Sequence, residues 1–161
     1  MILEIGAAIG AGVTAGIFYA FSTFVMAGLG RIPPEQGIAA MNSINVTVIN
    51  PWFMAVFMGT PVLCAIIAVM ALFKWSEPAS FLIIAACVIY TVGSFLVTMI
   101  FNVPLNNAFV AASPASSEGA TLWARYLVEW TWWNHVRTAA PIVAMALIII
   151  GLCIQSRSPA S

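Results

Sequence analysis

The 161-residue chain is 63% hydrophobic and only 6% charged, with a mean hydropathy of +1.06, far from the soluble balance of about half apolar and a quarter charged. Its five basic and five acidic residues cancel, and no basic run exists to track phosphates, which excludes a nucleic-acid partner as well as an ordinary soluble core. The length suits one domain, so residues 1–161 are expected to form a single all-α membrane unit.

The first apolar run covers 2–29, long enough to cross a hydrocarbon core of about 30 Å. It carries Glu4 where a secretory signal would carry Lys or Arg, and it outlasts a signal's core, so it is expected to be a retained span. Gly6, Gly10, Gly12 and Gly16 make two small-xxx-small pairs, the pattern that lets a neighbouring backbone approach. Tyr19, Ser22 and Thr23 near its end are candidate wall residues for any site on that side.

Residues 30–50 hold Arg31, Pro33 and Pro34 and then Ile38, Met41, Ile44 and Val48. That spacing predicts a short amphipathic helix at the membrane interface between the first two spans. Asn50 before Pro51 is a candidate N-cap for the second span, 52–73, and the third span, 81–101, follows a short turn at Glu77 and Pro78. The two should form an antiparallel hairpin. Pro61 falls inside the second span, where it removes a backbone hydrogen bond and is expected to bend the helix.

The third span ends in FNVPLNNAF, with Asn102 and Asn106 flanking Pro104. Pro104 is expected to interrupt the helix, freeing carbonyls and letting both amides fold inward; a helix C-cap with a turn is the bland alternative. An Ala-, Ser- and Asn-rich connection over 102–119 follows. The last apolar run, 139–154, is too short alone and reaches full length only if its helix begins near 120. Four spans, 2–29, 52–73, 81–101 and 120–154, then make a four-transmembrane-helix bundle with both long connections on one side.

The upstream half of that last helix, WARYLVEWTWWNHVRTAAP, contains the chain's one histidine. At 100° per residue, Trp123, Tyr126, Trp130, Asn134, Arg137 and Pro141 share a face, with Thr131, His135 and Thr138 along its edge. Trp and Tyr at the bilayer boundary are ordinary anchors. Asn134, His135 and Arg137 differ, because polar and ionisable groups below the headgroups are costly and usually face a protein-lined cavity. A bend at Pro141 would open such a space. Arg125 and Glu129 pair at i,i+4 on the opposite side.

Charge orients the chain weakly. Lys74 and Arg157 lie on the side of the termini and Arg31, Arg125 and Arg137 on the other; with the last two sunk in their helix, both termini are expected in the cytoplasm. Cys64, Cys87 and Cys153 sit in apolar runs, as small buried hydrophobes do. With one histidine and no Asp there is no Glu-x-x-His pair for a di-iron centre and no Cys/His set for zinc. Bis-histidine haem within the chain is excluded, while a His and Met haem stays formally open. No metal or other cofactor is expected.

The stretches GIFYAFSTFVM, AAMNSINVTVINPWFM, GTP, FNVPLNNAF and WTWWNHVR, in that order over nearly the whole chain, resemble the anthrone oxygenase-like family of small membrane proteins. The resemblance implies an oxidoreductase without a cofactor, whose fungal members look like oxidases of polyketide anthrones. An anthrone loses a proton from a doubly benzylic carbon, and its enolate can pass an electron to dioxygen without metal or flavin. On the motif positions, His135 would be the base, and Asn134, Asn102, Asn106 and Arg137 would donate to the oxyanion. Trp130 and Tyr126 would stack on the flat substrate, with Thr131 and Tyr19 beside them. The expected partners are a lipophilic small molecule, dioxygen and the bilayer, in a bacterial inner membrane; association into a homo-oligomer stays open. So do two other classes, a binding or transport protein for a lipophile and a haem- or quinone-linked redox subunit.

Overall fold

A computed structural model describes residues 1–111 and 115–157. Four helices are long and apolar enough to cross a membrane: α1 (Ile2–Leu29), α3 (Pro51–Leu72), α4 (Pro78–Phe109) and α5 (Ser117–Arg157). A fifth helix, α2 (Pro34–Thr47), joins the first two. No strand occurs among the described residues. The expected class of an all-α bundle with a short helix after the first span is the observed one, and its apolar exterior is that of an integral membrane protein. Ile9, Val62, Val69 and Val88 are each more than half exposed, a surface suited to acyl chains.

Around the bundle, α5 packs on α1 and α4, and α3 packs on the other side of both. The α3–α4 hairpin turns at Phe73–Glu77, where Ser80 Oγ donates to the Lys74 carbonyl at 2.6 Å and Lys74 pairs with Glu77 at 3.2 Å. Gln155 Nε2 reaches Glu4 Oε1 at 3.4 Å, so both terminal regions and this turn share one end. Helix α2, the end of α4 and the start of α5 occupy the other end.

The start of α3 follows its sequence signal closely. Asn50 Oδ1 accepts from the backbone N–H groups of Trp52 and Phe53 at 3.1 and 3.0 Å, which satisfies two of the donors every helix start leaves open. Pro51 occupies the first helical position, where its missing N–H costs nothing. In α2, Ile38 and Met41 are buried and Ile44 is half-buried against α5 and the end of α4, as the 3–4 spacing predicts.

Three expectations need correction. The third helix does not stop at 101 but continues through Pro104, because π-helical turns at Thr91–Leu96 and Thr98–Asn102 precede the proline. Such turns are wider by one residue, and place Pro104 in the first turn of a fresh α-helical segment, where its absent N–H is harmless. The 102–119 connection is therefore mostly helical, apart from residues 112–114, which lie outside the described residues. Of the four glycines in the two small-xxx-small pairs of α1, only Gly10 and Gly12 sit at close approaches. A Cβ on Gly10 would collide with the Thr60 hydroxyl, and one on Gly12 would lie 2.9 Å from Met145 Sδ, whereas a Cβ on Gly16 would meet nothing within 4 Å.

The interior divides into two clusters. Toward the termini it is built of small residues, including Ala7, Ala11, Ala86 and Ala144 with Cys64, Cys87 and Ile148. Toward α2 it is aromatic, with Phe109, Trp123, Tyr126 and Trp130 around Ile38 and Met41. Helix α5 has 41 residues, about 60 Å at 1.5 Å each and twice the hydrocarbon thickness. Its first turns are held by α2, where Gly37 approaches the Trp123 ring so closely that a Cβ would lie 2.5 Å from it. On its outer side Arg125 and Glu129 form an exposed pair at 2.7 Å.

Candidate functional site

Arg137 is the one charged side chain buried inside the bundle among the described residues, at 5% exposure. Helix periodicity places it two turns after Trp130 and one before Pro141 on the inward face of α5. Its Nε donates to Asn134 Oδ1 at 2.9 Å and its Nη1 reaches Thr98 Oγ1 at 3.4 Å. The guanidinium carbon lies 4.1 Å from the Phe18 ring centroid and 4.6 Å from that of Trp130. Two aromatic faces of this kind are worth about 2 kcal/mol or more each when desolvated. No carboxylate among the described residues balances the charge. The five glutamates are at 4, 35, 77, 118 and 129, there is no Asp, and none of those five forms an ion pair with Arg137.

A lattice of hydrogen bonds holds this arginine. Asn134 Nδ2 donates to the Phe18 carbonyl and to Ser22 Oγ, both at 2.7 Å, while Ser22 and Thr138 hydroxyls meet at 3.1 Å. The Phe18 carbonyl also accepts from the Phe21 backbone N–H, where α1 passes into a π turn at Phe21–Val25, so Asn134 is its second donor. Thr98 gives its proton to the Ser94 carbonyl at 2.8 Å. Arg137 is thus positioned by α1 and α4 through Asn134 and Thr98.

Beside it, Asn106 Oδ1 accepts two bonds, from Tyr126 Oη at 2.7 Å and from Trp130 Nε1 at 2.8 Å. Both Arg137 and Asn106 border a partly open cavity of about 300 Å³ lined by all five helices, at the lower end of the usual range for small-molecule sites. Its remaining wall is mostly apolar, with Phe18, Phe53, Phe57, Met41, Met54 and Ile44 prominent beside Thr98, Asn45 and Asn107. Helix α2 supplies one side, including Asn45, whose Nδ2 is buried without a hydrogen-bond partner among the described residues. A larger recess of about 740 Å³ opens at the terminal end, but its charges are engaged with each other or with Gln155. The smaller cavity is the one with a charge left uncompensated.

The family model for anthrone oxygenase matches residues 52–147, more than half of the chain. The chain belongs to the anthrone oxygenase family. Neither a curated protein nor a solved structure matches it. The family segment includes Thr98, Asn106, Trp130 and Arg137 of the cavity, while Phe18 and Asn45 come from the part preceding it. Family membership supports an oxygenase-type role.

Within this anthrone oxygenase family member the sequence-derived residues separate into three groups. Arg137, Asn106 and Trp130 line the cavity. Asn134, Asn102 and Tyr126 are fully buried behind it: Asn134 fixes Arg137, Asn102 Nδ2 donates to the Trp130 carbonyl at 3.1 Å, and Tyr126 is covered by Phe109 at 4.4 Å between centroids. Tyr126 donates to Asn106 and is not among the residues that line the cavity. The third group lies elsewhere. His135 is exposed on the outer surface of α5 and Tyr19 is 55% exposed on α1, while Thr131 is half-buried and borders no part of the cavity.

The expected grouping of His135 with the asparagines is thus corrected, because one residue is a 100° step and separates His135 from the face of Asn134 and Arg137. The sequence reading missed Phe18, Thr98 and Asn45. Thr98 was visible as a polar residue within an apolar span. Asn45, four residues after Met41, shares the apolar face of α2. Among the described residues no three His, Cys, Asp or Glu side chains cluster as metal ligands would.

Proposed function

We propose that the chain is an oxygenase of a bacterial inner membrane that draws a flat, lipophilic aromatic substrate of the anthrone type from the bilayer into the cavity beside α2. Both termini face the cytoplasm in this reading. The observation that carries it is the uncompensated Arg137 guanidinium on the wall of a largely apolar cavity, together with family membership. Burying such a charge costs several kcal/mol unless a partner arrives, and intramembrane charges of this sort mark functional sites.

The chemistry asks little of the protein. A doubly benzylic CH₂ loses a proton to give an enolate; the enolate adds dioxygen to give a peroxide anion on that carbon; loss of hydroxide leaves the ketone. Carbon is oxidised, dioxygen is reduced, and CH₂ plus O₂ become C=O plus H₂O. Arg137 and the Asn106 amide stabilise the oxyanion in a site that water enters poorly, where preorganised donors have their largest effect. Phe18, Phe53, Phe57 and Trp130 hold the rings and exclude solvent. His135 has no part in this scheme, since it faces away from the cavity.

The test uses the purified protein in liposomes with 1,8-dihydroxy-9-anthrone under ¹⁸O₂. The expected result is the corresponding anthraquinone, formed faster than in protein-free liposomes, with one ¹⁸O in its new carbonyl. Product formation no faster than in protein-free liposomes would overturn the oxygenase reading and leave a binding protein for lipophiles.

A further inference from the structure

Arg137 has five N–H donors, and two are used, on Asn134 and Thr98. Three remain for the cavity it borders. Asn106 is fixed in orientation by chemistry alone: Trp130 Nε1 can only donate, so the Asn106 atom it reaches is the oxygen, and Tyr126 donates to the same atom. The Asn106 NH₂ is then left for the cavity. Thr98 has spent its proton on the Ser94 carbonyl. Asn45 adds a buried amide nitrogen without a partner.

The polar pole of the cavity is accordingly one of donors and positive charge. The side chains that share the cavity or the hydrogen-bond network of Arg137 offer no base: α1 brings Phe18, α4 brings Thr98, Asn106 and Asn107, α2 brings Asn45, α3 brings Phe57, and α5 itself brings Asn134 and Trp130. Tyr126 is the nearby titratable group, with its proton on Asn106. Glu129 points outward to Arg125. A ligand with hydroxyl protons to give would find only the neutral amide oxygens of Asn45 and Asn107. One with an anionic oxygen would find several donors and a counter-charge.

We infer that this cavity binds its substrate already ionised, as a lipophilic aromatic oxyanion of the enolate or phenolate class, with the charged oxygen on the free edge of Arg137 and the Asn106 amide. The inference rests on the oxygenase reading for the aromatic class of the ligand. It removes the need for a protein base: the proton leaves to water before or during entry, and the site stabilises the conjugate base. Affinity for an ionisable phenol then rises with pH between the pKa of the bound phenol and that of the free one, and levels off above the latter.

The probe is 1,8-dihydroxyanthraquinone, whose visible spectrum distinguishes phenol from phenolate, titrated in detergent with and without protein. The expected result is an apparent pKa lower by at least ~1 unit in the presence of protein, equivalent to about tenfold tighter binding of the phenolate. Its 1,8-dimethoxy analogue should bind at least ~10-fold more weakly at alkaline pH. Arg137→Gln should abolish the downward shift, and Arg137→Lys should retain part of it. An unchanged or raised apparent pKa, or equal binding of the dimethoxy analogue, overturns the inference, and the wild-type titration decides this even where a variant does not fold. Tighter binding of decanoate than of the phenolate would make this a fatty-acid site and would equally overturn it. Phenolate binding without anthrone oxidation leaves the anion site standing and removes the oxygenase reading, whereas oxidation undiminished in Arg137→Gln does the reverse.

Discussion

Arg137 and His135 stand two residues apart in sequence and on different sides of α5 in space. Arg137 was legible from the helical wheel, because it falls with Trp123, Tyr126, Trp130 and Asn134 on a single face. His135 looked attractive for its chemistry and was misplaced because an edge position on the wheel does not say which side a neighbouring helix covers. His135→Ala is therefore expected to keep full activity, within about twofold, in an anthrone oxidation assay. Arg137→Met should behave in the opposite way. Replacing an uncompensated buried charge by an apolar side chain of similar length removes a desolvation cost, so the thermal transition in detergent should stay the same or rise, while binding of the ionised probe is lost. Asn106→Asp is a sharper test of donor character. It keeps the acceptor that Tyr126 and Trp130 need but replaces the free NH₂ by an anion in the cavity of Arg137, and should lower turnover ~10²-fold, as loss of a transition-state donor does.

At the level of helices, boundaries set by caps and prolines at the start of a helix were readable, as Asn50 and Pro51 show. Those set by a proline further along were not. Pro104 looked like a break because an α-helix rejects it, and the π turns that accommodate it leave no mark in residue spacing. The same turns, at Phe21–Val25 in α1 and Thr91–Leu96 and Thr98–Asn102 in α4, flank the Arg137 network, the first of them directly after the Phe18 carbonyl that Asn134 shares with Phe21. The glycines tell a similar story: spacing announced close packing but not which glycine meets which helix. Substituting Ala at Gly37 or Gly10 forces a methyl against Trp123 or Thr60 and should cost about 1–3 kcal/mol of stability. Gly16→Ala enters open space and should be neutral or stabilising by about 0.5–1 kcal/mol. Thermal unfolding of the three variants in one detergent checks the contrast.

For the molecule as a whole, apolar run lengths carried the fold, since four hydrophobic stretches and an amphipathic connector admit few arrangements. The bundle then divides its interior by depth, with small residues toward the termini and aromatics toward α2, and the cavity opens on the aromatic side where α2 forms part of its wall. Reporters placed after Ser76 and at the C-terminus should share a side and oppose one placed in the loop at Arg31. The central claim is that this cavity, with Arg137 on its wall, is where an anthrone-type substrate is oxidised. Its most direct test is the dioxygen uptake of Arg137→Met beside wild type, each in liposomes with 1,8-dihydroxy-9-anthrone and matched for folded protein. The account predicts about one O₂ consumed per anthrone by wild type and a rate at least ~10²-fold lower in the variant; equal rates in the two would contradict it.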